Sequence, residues 1–506
     1  MPLKVNPQPG RSFNGKGVAQ AIRIPFPTPR RLGASLSFVL FVTWTLLLFR
    51  VNPVPLGDYG VYTTVAERLI AGDRLYVDVW DNKEPIFFYL LAIGRLFSPL
   101  SGWLIEYLWF AVAAVASYTM SIRLGMTIRR SVVVSGIAVP IIFAGAPYEA
   151  GSSHIPGLAL GLVVIALLQG RHPFLAGLML GVLPFLKVLV FPVIAVGMVT
   201  LLLLTWNARR SFFAALGSMI GAALISLVVY TRGEWAGLLD STFRYNTSYP
   251  DLVVENPSLW NSTLQHLTNV FERPTIISTS VMIFLIAAVL ILQNRSEVKA
   301  GNSLLVAVTA ATTLIASISV LGATGLWFHH AMLLAVPSTL ALLSFAAALS
   351  WRDQFGTFSM LLAFGYLLAG MPSPDRVVQK LEFARADIWH QVTTPDVSMG
   401  GLRFGEKTIA RVGGGNEIGW GRLIRGFDLA CPNFHQHAWE SREWLGRTLE
   451  CLPNAQLIYV SRGELVPTES PSPWNEYLNS IEDLLRDNYT CNETFGGEIC
   501  TQRSNT

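Results

Sequence analysis

Between Gly57 and Leu90 the sequence gathers residue types that could do chemistry. Asp58 follows a proline-bearing stretch and heads a helical pattern over 61–71, in which Tyr62, Val65 and Leu69 make one apolar stripe. Farther on comes Tyr76-Val77-Asp78-Val79-Trp80-Asp81-Asn82-Lys83-Glu84-Pro85. A carboxylate held in place can take the proton from a hydroxyl as that hydroxyl attacks an electrophilic carbon. A lysine can meet a phosphate as a compact point charge. Asp58 suits the first task and Lys83 the second. Each also has a plainer reading. Asp58 could simply cap the helix it heads, where the amide dipoles favour an anion, and Lys83 could lie along an interface with its ammonium in water. Asp78 and Asp81 could bind substrate hydroxyls or a divalent cation, and the pattern commits to no metal.

The elements that would position these residues are set by composition. The chain has 506 residues, of which 52% are hydrophobic and 14% charged, and its mean hydropathy is +0.45. An ordinary soluble domain carries about a quarter charged residues. Apolar runs of roughly twenty residues recur up to position 371, each long enough to cross a hydrocarbon core of about 30 Å as a helix. The net charge of +4 is small, and the basic residues fall in short clusters between apolar runs, so nucleic acid is excluded as a partner. These features predict an all-α polytopic membrane protein with a small mixed α/β domain at its C-terminal end. The predicted domains are a cytoplasmic tail over 1–31, a transmembrane domain over 32–371 and an extracytoplasmic domain over 372–506.

The run 86–97 decides the topology, because about twelve residues are too few to span. Laid in the interface, it places Arg123, Arg129, Arg130, Arg171, Arg209, Arg210, Arg295, Lys299 and Arg352 on the same side as the basic N-terminal tail, as the positive-inside rule requires. About eleven spans result, near 32–50, 103–122, 131–147, 155–169, 174–186, 188–205, 212–230, 275–293, 303–322, 331–349 and 357–371. The N-terminus is then cytoplasmic, and the loop 51–102 and everything after the last span face outward. All four cysteines, Cys431, Cys451, Cys491 and Cys500, fall in that outward tail. An oxidising compartment and one or two disulfides are expected. Their spacing matches no compact zinc knuckle, and sequence leaves the pairing open. The tail is expected to mix a strand at 456–460 with a helix at 474–486. A further outward loop, 231–274, is polar and aromatic, as a lid or an acceptor-binding wall would be.

The motif at 57–90 resembles the first outward loop of the GT-C superfamily of membrane glycosyltransferases, within it the branch of protein-mannosyltransferase-like and aminoarabinose-transferase-like enzymes. In those enzymes an Asp, commonly followed by Glu, opens the loop, and an Asp-x-Lys-Pro-Pro-like stretch leads into a juxtamembrane helix. Here Tyr59 stands in place of the second acid, and Lys83-Glu84-Pro85 replaces Lys-Pro-Pro. The resemblance implies transfer of a sugar from a polyprenyl-phosphate donor to an extracytoplasmic glycan, lipid or protein acceptor, at the outer face of a membrane such as a bacterial inner membrane. It implies Asp58 as the base. Lys83 would hold the donor phosphate, with Lys187 at an outward hairpin and the pair His329 and His330, where relatives carry basic or aromatic residues. Tyr59, Asp78, Asp81, Glu149 and His154 are then candidates for sugar or acceptor contact. His329, His330, Glu149 and His154 could equally be ordinary polar residues at water-facing helix ends. The competing functional class is a transporter or flippase of a lipid-linked sugar. The sequence shows neither an inverted repeat nor ionisable residues in mid-span, which such proteins favour. A sensory or structural membrane protein would leave the acidic and basic first loop without a purpose, and the inward loops are too short to build a nucleotide site.

Overall fold

The apolar runs that fall on described residues are helices in the computed structural model, which describes residues 58–97, 101–144, 153–205, 207–245, 300–322, 332–348, 408–412, 428–431, 442–461, 473–494 and 497–503. The expected spans at 32–50, 275–293 and 357–371 lie outside these residues, as do Glu149, His329 and His330. In chain order the helices are α1 (Asp58–Ala71), α2 (Pro85–Phe97), α3 (Ser101–Arg123), α4 (Ile128–Val133), α5 (Val139–Ala144), α6 (His154–Gln169), α7 (Pro173–Val182), α8 (Phe191–Thr205), α9 (Ala208–Thr231), α10 (Trp235–Leu238), α11 (Ala300–Gly322) and α12 (Ala335–Ala348). Ile105–Arg123 and Ala208–Thr231 are each long and apolar enough to cross a bilayer unaided.

Three departures from the sequence reading have local causes. The run beginning at 131 is a helix from Ile128, joined through a π-helical turn at Val134–Ala138 to α5. Pro140 is the second residue of α5. It has no N–H to donate backwards, and the wider turn takes up that missing bond. The run at 188–205 becomes helical only at Phe191, because Lys187 to Val190 form turns after a 3-10 segment at Leu183–Phe185. α1 begins at Asp58, three residues before the expected Val61.

Helices α7 and α9 pack by backbone contact. On α7, Gly177 and Gly181 are four residues apart, and on α9 so are Gly217 and Gly221. A Cβ added at Gly177 would lie 1.9 Å from the Ala214 carbonyl oxygen, and one at Gly217 would lie 2.2 Å from that of Phe174. This reciprocal small-xxx-small seam lets two helices approach where lipid tails supply no hydrophobic drive for association. The opposite face of α9 is exposed and largely apolar, including Phe212, Met219 and Tyr230.

The C-terminal region forms a five-stranded sheet ordered β2-β1-β3-β5-β4, with β1 Thr408–Val412, β2 Asp428–Leu429, β3 Leu457–Ser461, β4 Tyr489–Thr494 and β5 Gly497–Gln502. β2, β1 and β3 run parallel, whereas β5 pairs antiparallel with both β3 and β4. Strand alternation gives the sheet two apolar faces. Ala410, Ile458, Val460 and Cys500 pack with Leu478, Ile481 and Leu485 of α14 (Pro473–Asn488). Ile409, Leu457, Tyr459 and Ile499 join the core of the helical body. The expected strand and helix are β3 and α14. Both cysteine pairs are disulfides: Cys431–Cys451 ties the end of β2 to α13 (Arg442–Cys451), and Cys491–Cys500 crosses from β4 to β5.

Candidate functional site

The first loop is built on two packed helices. Tyr62 of α1 stands edge-on to Phe87 of α2, with ring centroids 5.1 Å apart and planes at 88°, and also meets Phe88 at 5.9 Å. Asp58 and Tyr59 open α1, with Asp58 one helical turn before Tyr62. At its other end α1 closes on Gly72 at φ +106°. The Gly72 N–H donates to the Leu69 carbonyl and the Asp73 N–H to the Arg68 carbonyl, a Schellman ending that only glycine adopts without penalty.

Two residues pin the segment that follows. Tyr76 holds a left-handed conformation at φ +67°, rare for a residue with a Cβ. Its N–H donates to the Val79 carbonyl at 2.7 Å, and its hydroxyl donates to the Lys83 carbonyl at 2.7 Å. Burial pushes the Tyr76 phenol well above its ordinary value, so the donor proton stays in place. Gly237 lies against it: a Cβ there would come within 2.5 Å of the Tyr76 Cβ. The second pin is Glu234, fully buried. Its carboxylate accepts from the Leu75 N–H at 3.0 Å, from Arg232 Nε at 2.8 Å and from the Tyr89 hydroxyl. Beyond α10 a π-helical segment, Leu239–Tyr245, continues the clasp: Tyr245 stacks edge-on to the buried Trp80 at 5.2 Å. On its far side Asp240 pairs with Arg447 of α13 at 3.1 Å, so the same segment touches the C-terminal sheet region.

Within this clasp the loop turns inward. Asp81 Oδ1 accepts from the Lys83 N–H at 2.9 Å, and Lys83 Nζ donates to Asn82 Oδ1 at 2.9 Å. Glu84 then reaches the hairpin between α7 and α8. Its Oε1 accepts from the Val188 N–H at 2.8 Å, and its Oε2 lies 3.7 Å from Lys187 Nζ. The pair is dry, at 6% and 3% side-chain exposure. At that separation it is an ion pair without a hydrogen bond. Burial pulls Lys187 below the ordinary lysine value, Glu84 opposes that, and the nearby Lys83 charge adds to it. Gly157 of α6 makes the room: a Cβ there would lie 2.8 Å from the Lys187 Cβ. His154, buried, stands on the first turn of α6, one turn before Gly157.

The structure thus brings Asp81, Lys83 and Lys187 into one cluster, with His154 on the adjoining helix. Asp78 is held apart. It is half exposed and bound to Arg74 at 2.8 Å, and the hydrogen bonds from that guanidinium keep its carboxyl below the usual range. Asp78 is thus engaged by Arg74, and Asp81 by the Lys83 N–H. Among the described residues, the three potential ligands that do converge, Cys491, Glu498 and Cys500, include a disulfide and have no thiolate to offer. Glu84 and Glu234 escaped the sequence reading. The one available signal was at position 84, where an acid replaces the proline of the motif.

No family model matches the chain, and no curated relative does. Among solved structures, the chain is similar to ArnT from Cupriavidus metallidurans, whose crystal structure was determined bound to undecaprenyl phosphate. The superposition covers 95% of this chain and 99% of that one, with a TM-score of 0.52 and 12% identity. At that identity the likeness shows that the two chains share a fold.

Proposed function

We propose that the protein is a GT-C-type glycosyltransferase of the membrane, which takes a sugar from a polyprenyl-phosphate donor and passes it with inversion to an extracytoplasmic glycan, lipid or protein acceptor. The observation that carries this reading is the buried cluster of Lys187, Glu84, Lys83 and Asp81 under the first loop. There the half-buried Lys83 and the buried Lys187, more than a hundred residues apart in sequence, lie near the buried carboxylates of Asp81 and Glu84. Burying an ammonium is expensive unless an anion faces it, and a pair as loose as 3.7 Å leaves room for a better anion. The donor's phosphodiester and the phosphate monoester that leaves from it are such anions. The bound undecaprenyl phosphate of ArnT supports the same choice of donor.

In this mechanism the acceptor hydroxyl oxygen attacks the anomeric carbon from the face opposite the phosphate. The bond from that carbon to the phosphate oxygen breaks, its electron pair leaves with polyprenyl phosphate, and the hydroxyl proton passes to Asp58. Lys83 and Lys187 meet the charge that grows on the leaving phosphate. Glu84 orients Lys187 before the donor arrives. Tyr59, Asp81 and His154 are the candidates for sugar or acceptor contact. Asp78, His329, His330 and Glu149 complete the candidate set. With a single acid at the head of the loop, one displacement with inversion is simpler than a double displacement, which needs a second carboxylate at close range.

The test is an assay of the purified protein against polyprenyl-phosphate sugars, following release of polyprenyl phosphate. Asp58→Asn is expected to lower turnover by roughly 100- to 10,000-fold and to leave donor binding nearly intact. Lys187→Ala or Lys83→Ala is expected to weaken donor binding, because the phosphate is present in the ground state as well. Near wild-type turnover in Asp58→Asn would return Asp58 to the role of a helix cap. Vesicle transport of intact lipid-linked sugar without release would make the protein a transporter.

A further inference from the structure

The same helices that hold Lys187 at one end hold an open cleft at the other. Its volume is about 320 Å³, and Arg171, His172, Phe174, Arg209, Arg210 and Phe213 line it. The chain builds it deliberately. Arg171 adopts a left-handed φ of +62° in the turn between α6 and α7. Asn207 caps α9, its Oδ1 accepting the Arg210 N–H at 3.0 Å, and so brings two arginines to the first turn of α9. Among the described residues no carboxylate pairs with Arg171, Arg209 or Arg210. Arg209 instead lies over the Phe213 ring at 5.8 Å. Arg171 and Arg210 line the same cleft. Like charges gathered without a counter-charge want an anion.

The surroundings say what carries that anion. A cleft of this size takes a headgroup and not a whole lipid. The face of α9 that bears Arg209 continues as an unbroken apolar stripe of Phe212, Met219, Ile220, Leu224 and Leu227, each exposed. Leu175, also exposed, lines the cleft itself. A soluble anion has no use for that stripe, whereas an acyl chain does.

We propose that this cleft is a binding site for an anionic phospholipid, with the phosphodiester held by Arg171, Arg209 and Arg210 and the acyl chains laid along the exposed face of α9. The site stands on its own observations and does not depend on the proposed transferase reaction.

The experiment is native mass spectrometry of the full chain in detergent, titrated with dioleoylphosphatidylglycerol or dioleoylphosphatidylcholine, with a separate arm of inorganic phosphate. Phosphatidylglycerol is expected to bind in preference to phosphatidylcholine. Each charge removed by Arg171→Gln, Arg209→Gln or Arg210→Gln should weaken it by about five-fold, and all three together by on the order of 100-fold. The control, Arg129→Gln with Arg130→Gln, removes two charges elsewhere and should leave that preference unchanged, whereas Arg209→Gln with Arg210→Gln should reduce it. Equal loss in the control would mean general attraction to a basic surface and would overturn the site. Displacement of the lipid by inorganic phosphate would make it a site for a soluble anion and overturn the lipid assignment, as would equal binding of the two lipids. If the triple variant does not give a single monodisperse species, the single variants carry the same decision.

Discussion

The two ends of α7 handle positive charge in opposite ways. At the loop end Lys187 is buried, faces a buried acid and owes its position to a segment distant in sequence. At the other end Arg171, Arg209 and Arg210 line an open cleft without an acid, placed by local turns and a helix cap. The first arrangement couples remote parts of the chain. The second is an electrostatic surface that the fold could lose without unfolding. A charge that the structure has paid to bury is the better guide to chemistry, and a charge left in the open is the better guide to surroundings.

The sharpest break of this contrast is at Glu84. Glu84→Ala leaves a buried ammonium without its counter-charge and should lower stability by about 3–5 kcal/mol, read as a fall in the melting temperature of the solubilised protein. Glu84→Gln combined with Lys187→Met should recover most of that loss while donor binding stays absent. A double variant no more stable than the single would show that the pair is not the unit described. The C-terminal domain adds a smaller test, since it rests on the loop end through Arg447 and Asp240. Removing the Cys431–Cys451 bridge, which closes a separation of 20 residues, should cost about 3 kcal/mol. Hydrogen exchange should then rise in the domain and in 239–245, and stay unchanged around Arg171.

A pH profile sharpens the contrast further. Lys187 sits below the ordinary lysine value because it is buried, and Glu84 partly restores it, with Lys83 and Asp81 as the other charges nearby. Only the protonated amine attracts phosphate, so donor affinity should fall as pH rises through the Lys187 titration. In Glu84→Gln the restoring charge is gone, and the fall should come at lower pH. An unshifted profile would remove Glu84 from the site. The smallest effect is at the open end, where Arg209→Gln should change stability by less than about 0.5 kcal/mol while weakening the anionic lipid. A large loss of stability there would erase the distinction between the two ends.

What the sequence revealed follows the same division. Segments whose burial is decided locally were legible: α1 and α2 from their apolar spacing, β3 and α14 from their alternation and amphipathicity, the arginines from their place between apolar runs. Disulfides were expected from the compartment, but the pairing needed the sheet, because Cys491 and Cys500 are joined by strand register. The connection of Glu84 to Val188 spans 104 positions and that of Glu234 to Leu75 spans 159. No periodicity links such residues, so a buried acid reads in sequence as one more polar loop residue. The substitution of Glu84 for the motif's proline was visible, and its meaning was not, because Lys187 is its partner only in three dimensions.

The glycine seam between α7 and α9 bears on how this sequence can drift. At Gly177, Gly181, Gly217 and Gly221 the neighbouring backbone occupies the place of a methyl group, so even alanine requires the helices to part. On the opposite face of α9, Phe212, Met219 and Tyr230 are exposed among the described residues, and one large apolar side chain should serve there as well as another. A saturation library of 208–231 should therefore separate into two helical stripes a half-turn apart, one that admits glycine almost alone and one that asks only for oiliness. The helix would be, in mutational terms, frozen on one side and nearly neutral on the other.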